Sequence, residues 1–166
     1  MSTKLSVTIR SLVVTLSLLV AMVSGASQEF PTAPDPSLTP GSLCDQPDSV
    51  RYPERIKYCS RDVDTELKRE IIQDYNEKLG YGIRPHQRSQ FKIDHYIPLC
   101  MGGSNHKDNL WPQHQTVYKH TDHLEMTACE KMADGRLSQR LAVEYIRKAK
   151  ADYRKAREII REIEGL

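Results

Sequence analysis

Residues 94–113 read DHYIPLCMGGSNHKDNLWPQ. Together with the three residues before it, the start of this stretch is rich in β-branched and aromatic residues. Phe91-Lys92-Ile93-Asp94-His95-Tyr96-Ile97 therefore predicts a short strand. Pro98 lacks an N–H and ends it. Gly102-Gly103-Ser104-Asn105 is turn chemistry, so the chain folds back like a hairpin and residues 109–111 predict a brief return strand. A helix then fills much of residues 115–133 and ends near Asp134-Gly135. The expected fold is α+β and mostly helical, with a small core of one short hairpin and one helix.

The same stretch carries the polar chemistry. Asp94 and His95 are neighbours on a strand and so point to opposite faces, but at a twisted strand end both can reach one locus. A carboxylate there can hold a hard divalent cation, and a neutral imidazole beside it can take a proton from water. Asn109 follows across the turn, opposite the Asp94-His95 pair. Its amide could orient His95 or join an ion's shell. The following helix carries His114, His120, Asp122 and His123 back toward the same point. All six histidines, from His86 to His123, fall within this window.

Outward from the hairpin, a helix is expected over residues 62–79, where Val63, Leu67, Ile71, Tyr75 and Leu79 repeat at four-residue steps. Asp62, Asp64 and Glu66 crowd its N-terminal end, where the helix dipole favours acids, and Gly80 and Gly82 end it. Residues 83–90 are expected to be a polar loop. At the other end, a single long helix is expected from Ser138 to Ile163. Ala142, Ile146, Ala149, Tyr153, Ala156, Ile160 and Ile163 alternate steps of four and three, a heptad seam. The seam could dock within the chain, giving a monomer, or its far end could pair with a second copy. Its many alanines favour docking within the chain.

The chain has 166 residues, enough for one domain, with 24 Lys and Arg against 22 Asp and Glu, a formal charge of +2. A charged share of 28% and a mean hydropathy of −0.58 exclude a polytopic membrane protein. Residues 1–26 read as a secretory signal: Lys4 and Arg10, then the apolar run SLVVTLSLLVAMV at 11–23, then Ser24-Gly25-Ala26. Its removal takes two basic groups and leaves 22 against 22, with no stable membrane association expected. Residues 27–43, with Pro31, Pro34, Pro36 and Pro40, read as an extended leader of little order. Residues 44–166 are expected to form the single domain. Cys44, Cys59, Cys100 and Cys129 make an even count in an exported chain, periplasmic or extracellular, which points to two disulfides. Three connectivities are open on spacing alone. Two segments, 49–92 and 130–166, each carry ten basic and seven acidic residues, and they flank a slightly acidic, His-rich centre.

The motifs D-H-x-I-P-L-x-x-G-G at 94–103 and N-L-W-P-Q at 109–113 resemble the core of HNH endonucleases of the ββα-metal fold, closest to an exported bacterial subgroup. The resemblance extends more weakly to Lys57-Tyr58-Cys59 and to Asp122-His123-Leu124-Glu125, then Cys129, and covers roughly residues 40–155. It implies a metal-dependent endonuclease acting on DNA, or on RNA. By the resemblance His95 is the general base, Asp94 an ion ligand, and Asn109 the residue that positions the base or completes the metal shell. The implied cofactor is a divalent ion, Mg²⁺ first, with Mn²⁺, Ca²⁺ or Zn²⁺ as alternatives. Where the family places a helical His, nine residues beyond the Asn, this chain has Tyr118. His120, then Asp122, then His114 are the candidates for the third ligand, and Arg88 or Lys92 for the phosphate contact. Two other classes compete: an exported module holding a structural metal through its histidines, and an interaction protein acting through its last helix.

Overall fold

A computed structural model describes residues 29–166, so the expected secretory signal lies outside the described residues. The first regular elements among the described residues form a hairpin of β1 (Ser49–Arg51) and β2 (Ile56–Tyr58). Next comes α1 (Thr65–Leu79), then a 3-10 turn over Pro85–Gln90. The second hairpin pairs β3 (Phe91–His95) with β4 (Leu110–His114), and α2 (Gln115–Ala133) follows without a break. Two further helices, α3 (Gln139–Ala151) and α4 (Ala156–Glu164), complete a mostly helical α+β fold.

Local chemistry accounts for the element ends. Asp64 caps α1, its carboxylate accepting from Leu67 N at 2.7 Å, so the helix starts three residues later than the acidic cluster alone suggests. Gly80 closes it at φ 75°, the left-handed conformation that favours glycine. The β3–β4 register places Asp94 opposite Trp111 and His95 opposite Leu110. The return strand is longer than expected and β3 shorter. Tyr96 N still donates to Asn109 O, but beyond it the chain turns into the loop. Gly103 is required there, because a Cβ would stand 1.8 Å from Ile97 O.

Three expectations are corrected. The long C-terminal helix is two helices. Asp152 takes an extended conformation (φ −147°, ψ 93°), caps the next turn by accepting from Arg154 N, and lets α4 fold back against α2. The seam is nevertheless buried: Ala142, Ile146, Ala149, Ala156, Ile160 and Ile163 all join the core formed by α2, α3 and α4. The Pro-rich leader has no regular structure but is pinned to the domain. Asp35 N donates to Tyr75 OH, Thr39 shares a 2.8 Å bond with Tyr75, and Phe30 stacks on His114 at 3.7 Å. The polar loop at 83–90 contains a full 3-10 turn.

The disulfides are Cys44–Cys59 and Cys100–Cys129, which removes the ambiguity of pairing. The first ties the leader's end to the residue after β2. The second ties the loop after β3 to α2. A second core, with Ile71, Tyr75, Ile93, Trp111 and Val117, fills the space between α1 and the β3–β4 hairpin. No helix among the described residues is long and apolar enough to cross a membrane.

Candidate active site

The end of β3 sends its two polar side chains to different neighbours, as the alternation of a strand requires. His95 is buried at 3% exposure and faces the segment after β2. Arg61 NH1 lies 3.2 Å from His95 Nδ1, and the same guanidinium donates to Ile93 O at 3.0 Å. On the other side of the ring, His95 Nε2 lies 3.0 Å from Asn105 Oδ1. Asn105 in turn donates from Nδ2 to Ser60 O at 2.6 Å, which fixes its amide with the oxygen toward the imidazole. A guanidinium can only donate, so Nδ1 accepts and the proton of the neutral ring sits on Nε2.

Burial lowers the pKa of His95 to about 4. The bond to Asn105 and the charge of Asp94 work the other way, while Arg61 and Lys150 reinforce the decrease. The ring is therefore neutral at physiological pH, with one lone pair, at Nδ1, directed toward Arg61. Beside it opens a cleft of about 380 Å³ lined by Asp45, Asp48, Ser60, Arg61, Asn105 and His106.

Asp94 faces α2 and α3. Lys150 Nζ lies 3.0 Å from Asp94 Oδ2, 2.7 Å from Glu125 Oε1 and 2.5 Å from His95 O. Lys92 Nζ is 2.6 Å from Asp122 and 3.6 Å from Asp94. Burial opposes ionisation of Asp94, but Lys150 and Lys92 outweigh it and hold its carboxyl below the ordinary carboxylate range. Glu125 is different. Burial pushes it up to about 7, and Lys150 offsets this only in part. Oxygens of Asp94, Asp122 and Glu125 lie within 4.8 Å of one another.

The donor set fits a hard divalent cation on two counts. All three donors are carboxylates. One of their oxygens, Glu125 Oε1, is buried and has no hydrogen bond of good geometry despite its ion pair with Lys150. No histidine belongs to such a group among the described residues.

The structure thus separates the residues singled out in the sequence. Asp94 and Asp122 come together. His120 does not join them: it is exposed and stacks on Tyr153, with ring centroids 5.3 Å apart. His114 is the N-cap of α2, accepting from Thr116 N, and is packed under Phe30. Asn109 is fully buried and its amide makes no hydrogen bond to the His95 ring. Its amide accepts from Ile97 N and donates to Ile97 O and Ser104 O, stapling the loop between the two strands. Asn105 has the contact with the imidazole instead. Arg88 lies on the 3-10 turn beside Arg84 and Arg69, and Lys92 is engaged by the carboxylates, so Arg61 is the basic group beside His95. Arg61 and Lys150 reach the site from distant parts of the chain and have no local signal, while Asn105 lies in the turn itself and reads in sequence only as turn chemistry. Glu125 was quoted there only as part of the downstream resemblance.

Comparison with protein-family models, curated proteins and solved structures finds no match for this chain.

Proposed function

We propose that the chain is an exported phosphodiester hydrolase, an HNH-type endonuclease that cuts DNA, with RNA as the second substrate class. The observation that carries this reading is the neutral His95 ring, with its only lone pair turned to a guanidinium, one residue from a carboxylate cluster. Arg61 offers the anionic phosphate a charge-assisted bond at the place where Nδ1 can reach an attacking water. As the phosphate draws the guanidinium, Nδ1 is freed to take the water's proton while the water oxygen bonds to phosphorus and the ester oxygen departs. Asn105 keeps the second ring nitrogen protonated and stabilises the imidazolium that forms, a positioning role. Asp94, Asp122 and Glu125 would hold a divalent ion. Such an ion neutralises charge developing on the phosphate and the leaving oxygen.

The test incubates the purified protein and His95→Ala with supercoiled plasmid and with RNA, with Mg²⁺ or Mn²⁺ and with chelator. Nicking and linearisation by the wild type, reduced by about 10²–10⁴-fold in His95→Ala, support the reading. Intact plasmid and intact RNA under every ion, in protein shown to be folded, reject it.

A further inference from the structure

Lys150 has no exposed surface. An ammonium group is tolerated there only if its charge is answered and its N–H donors find acceptors. Asp94 and Glu125 meet the charge, while Asp94 and the carbonyl of His95 accept its hydrogen bonds, so its partners are two of the three carboxylates and the backbone of the residue that carries the base. Lys150 therefore stands where a cation bridging Asp94 and Glu125 would stand. We propose that Lys150 is the resident cation of this cluster, and that a divalent ion binds by displacing its ammonium toward solvent. The proposal rests on the reading of Asp94, Asp122 and Glu125 as the ion-binding set.

Three observations favour the exchange. With all three carboxylates ionised, the cluster sets three negative charges against two ammonium groups, Lys92 and Lys150, which leaves one for a more highly charged ion to answer. Glu125 Oε1 lies 2.7 Å from Nζ yet outside hydrogen-bonding geometry, so the monocation satisfies this carboxylate incompletely. Lys150 is also the penultimate residue of α3, followed by the extended Asp152, so its side chain leaves from a helix end and not from mid-helix. The resident ammonium has a function of its own. Without it, Asp94 and Glu125 would face each other as partly buried carboxyl groups with no cation between them whenever no ion is bound.

The experiment is amine footprinting of the wild-type protein with a small acylating reagent, read by mass spectrometry, in chelator and in Mn²⁺. Mn²⁺ binding is followed in parallel by its paramagnetic resonance signal. In chelator Lys150 should stay unlabelled while the exposed Lys119 reacts, and in saturating Mn²⁺ its labelling should rise about tenfold with Lys119 unchanged. A second arm uses Lys150→Met, which should bind Mn²⁺ about tenfold more tightly than the wild type because the competitor is gone. Mn²⁺ bound with Lys150 still protected, or bound equally by both proteins, overturns the displacement and leaves the hydrolase reading standing. No Mn²⁺ bound by either protein overturns the displacement and the ion-binding set together. If Lys150→Met does not fold, the wild-type footprint alone decides.

Discussion

The Arg61 guanidinium lies 3.2 Å from Nδ1 of His95, and this contact assigns the proton of the ring. Arginine has no acceptor to offer, so the neutral imidazole must carry its hydrogen on Nε2 and direct it to Asn105. The nitrogen that would act as a base is therefore the one facing the positive charge, a position that an anionic substrate would claim.

Asn105 follows as the first prediction. Asn105→Ala removes the acceptor from Nε2–H and the donor to Ser60 O, so the ring loses its tautomer lock. Plasmid cleavage should fall by about 10–100-fold, the scale on which a partner behind a working histidine acts. Asn105→Asp should behave differently. A carboxylate at the same place stabilises the imidazolium, so the His95 pKa measured by NMR should rise above its value of about 4. An unchanged titration in Asn105→Asp would break the proposed contact.

The pH dependence follows from the same burial. His95 has a folded pKa of about 4, below the ordinary histidine value of 6.5. The neutral base is thus available throughout the neutral range, and at a saturating concentration of divalent ion, which holds Glu125 ionised, the acid limb of kcat/KM should lie near pH 4 and not near pH 6.5. The stability contribution has the same sign. A depressed folded pKa means that the unfolded chain binds the proton more tightly, so the contribution is present above pH 6.5 and is lost as pH falls through 4. At saturating ion, an acid midpoint that stays near 6.5 would show that His95 is solvated during turnover or is not the base.

What could be read from the sequence was local. Pro98, the Gly102-Gly103 pair and the residues around them announce the hairpin, and the helix expected over 115–133 is the α2 that forms. What could not be read depends on distant partners or on backbone conformations that composition does not announce. The first hairpin turns through Tyr52 and Arg55, both at positive φ where no glycine stands, so only Pro53 marks the turn. The heptad seam continues across Asp152, because apolar spacing records which residues are buried and not whether the chain reverses between them. Lys150 looks in sequence like one more basic residue on an amphipathic helix, and only its approach to Asp94, 56 positions away, gives it a role. Asn109 and Asn105 flank the same turn, and sequence order cannot say which of the two amides reaches the histidine.

The pinned leader gives a stability prediction. Asp35 N–H donates to Tyr75, the Tyr75 hydroxyl bonds Thr39 Oγ1, and the Thr39 hydroxyl donates to Leu110 O, so one chain of bonds ties the leader to α1 and β4. Thr39→Val keeps the shape, leaves Leu110 O without this donor and leaves the Tyr75 hydroxyl, which still accepts from Asp35 N, without an acceptor for its own proton. The cost should be about 2 kcal/mol, a fall in Tm of roughly 6 °C by calorimetry. Burial also raises Tyr75 to about 12. The folded state therefore holds this proton more tightly than the unfolded chain, and the contribution is present below pH 10 and is lost as pH rises through 12. In Tyr75→Phe the alkaline loss of stability should be smaller than in the wild type.

The two disulfides should separate stability from activity. Cys44–Cys59 spans 15 positions and Cys100–Cys129 spans 29, so loop-closure entropy assigns them about 3 and about 3.6 kcal/mol respectively. By that measure the double variant Cys100→Ser/Cys129→Ser is the less stable one. Activity should rank them the other way. Cys59 directly precedes Ser60, whose carbonyl orients Asn105, and Arg61, which faces His95. Losing the first bridge frees the segment that holds both nitrogens of the ring. Losing the second frees the Leu99–Met101 turn from α2 but leaves Arg61, Ser60 and Asn105 tied to one another. Denaturant midpoints and cleavage rates, measured on both double variants at a temperature where each is folded, check this directly. Cys44→Ser/Cys59→Ser should keep the higher midpoint and show the lower rate. If the less stable variant is also the slower one, Arg61 is held by its hydrogen bonds alone, and the bridge beside it serves only the fold.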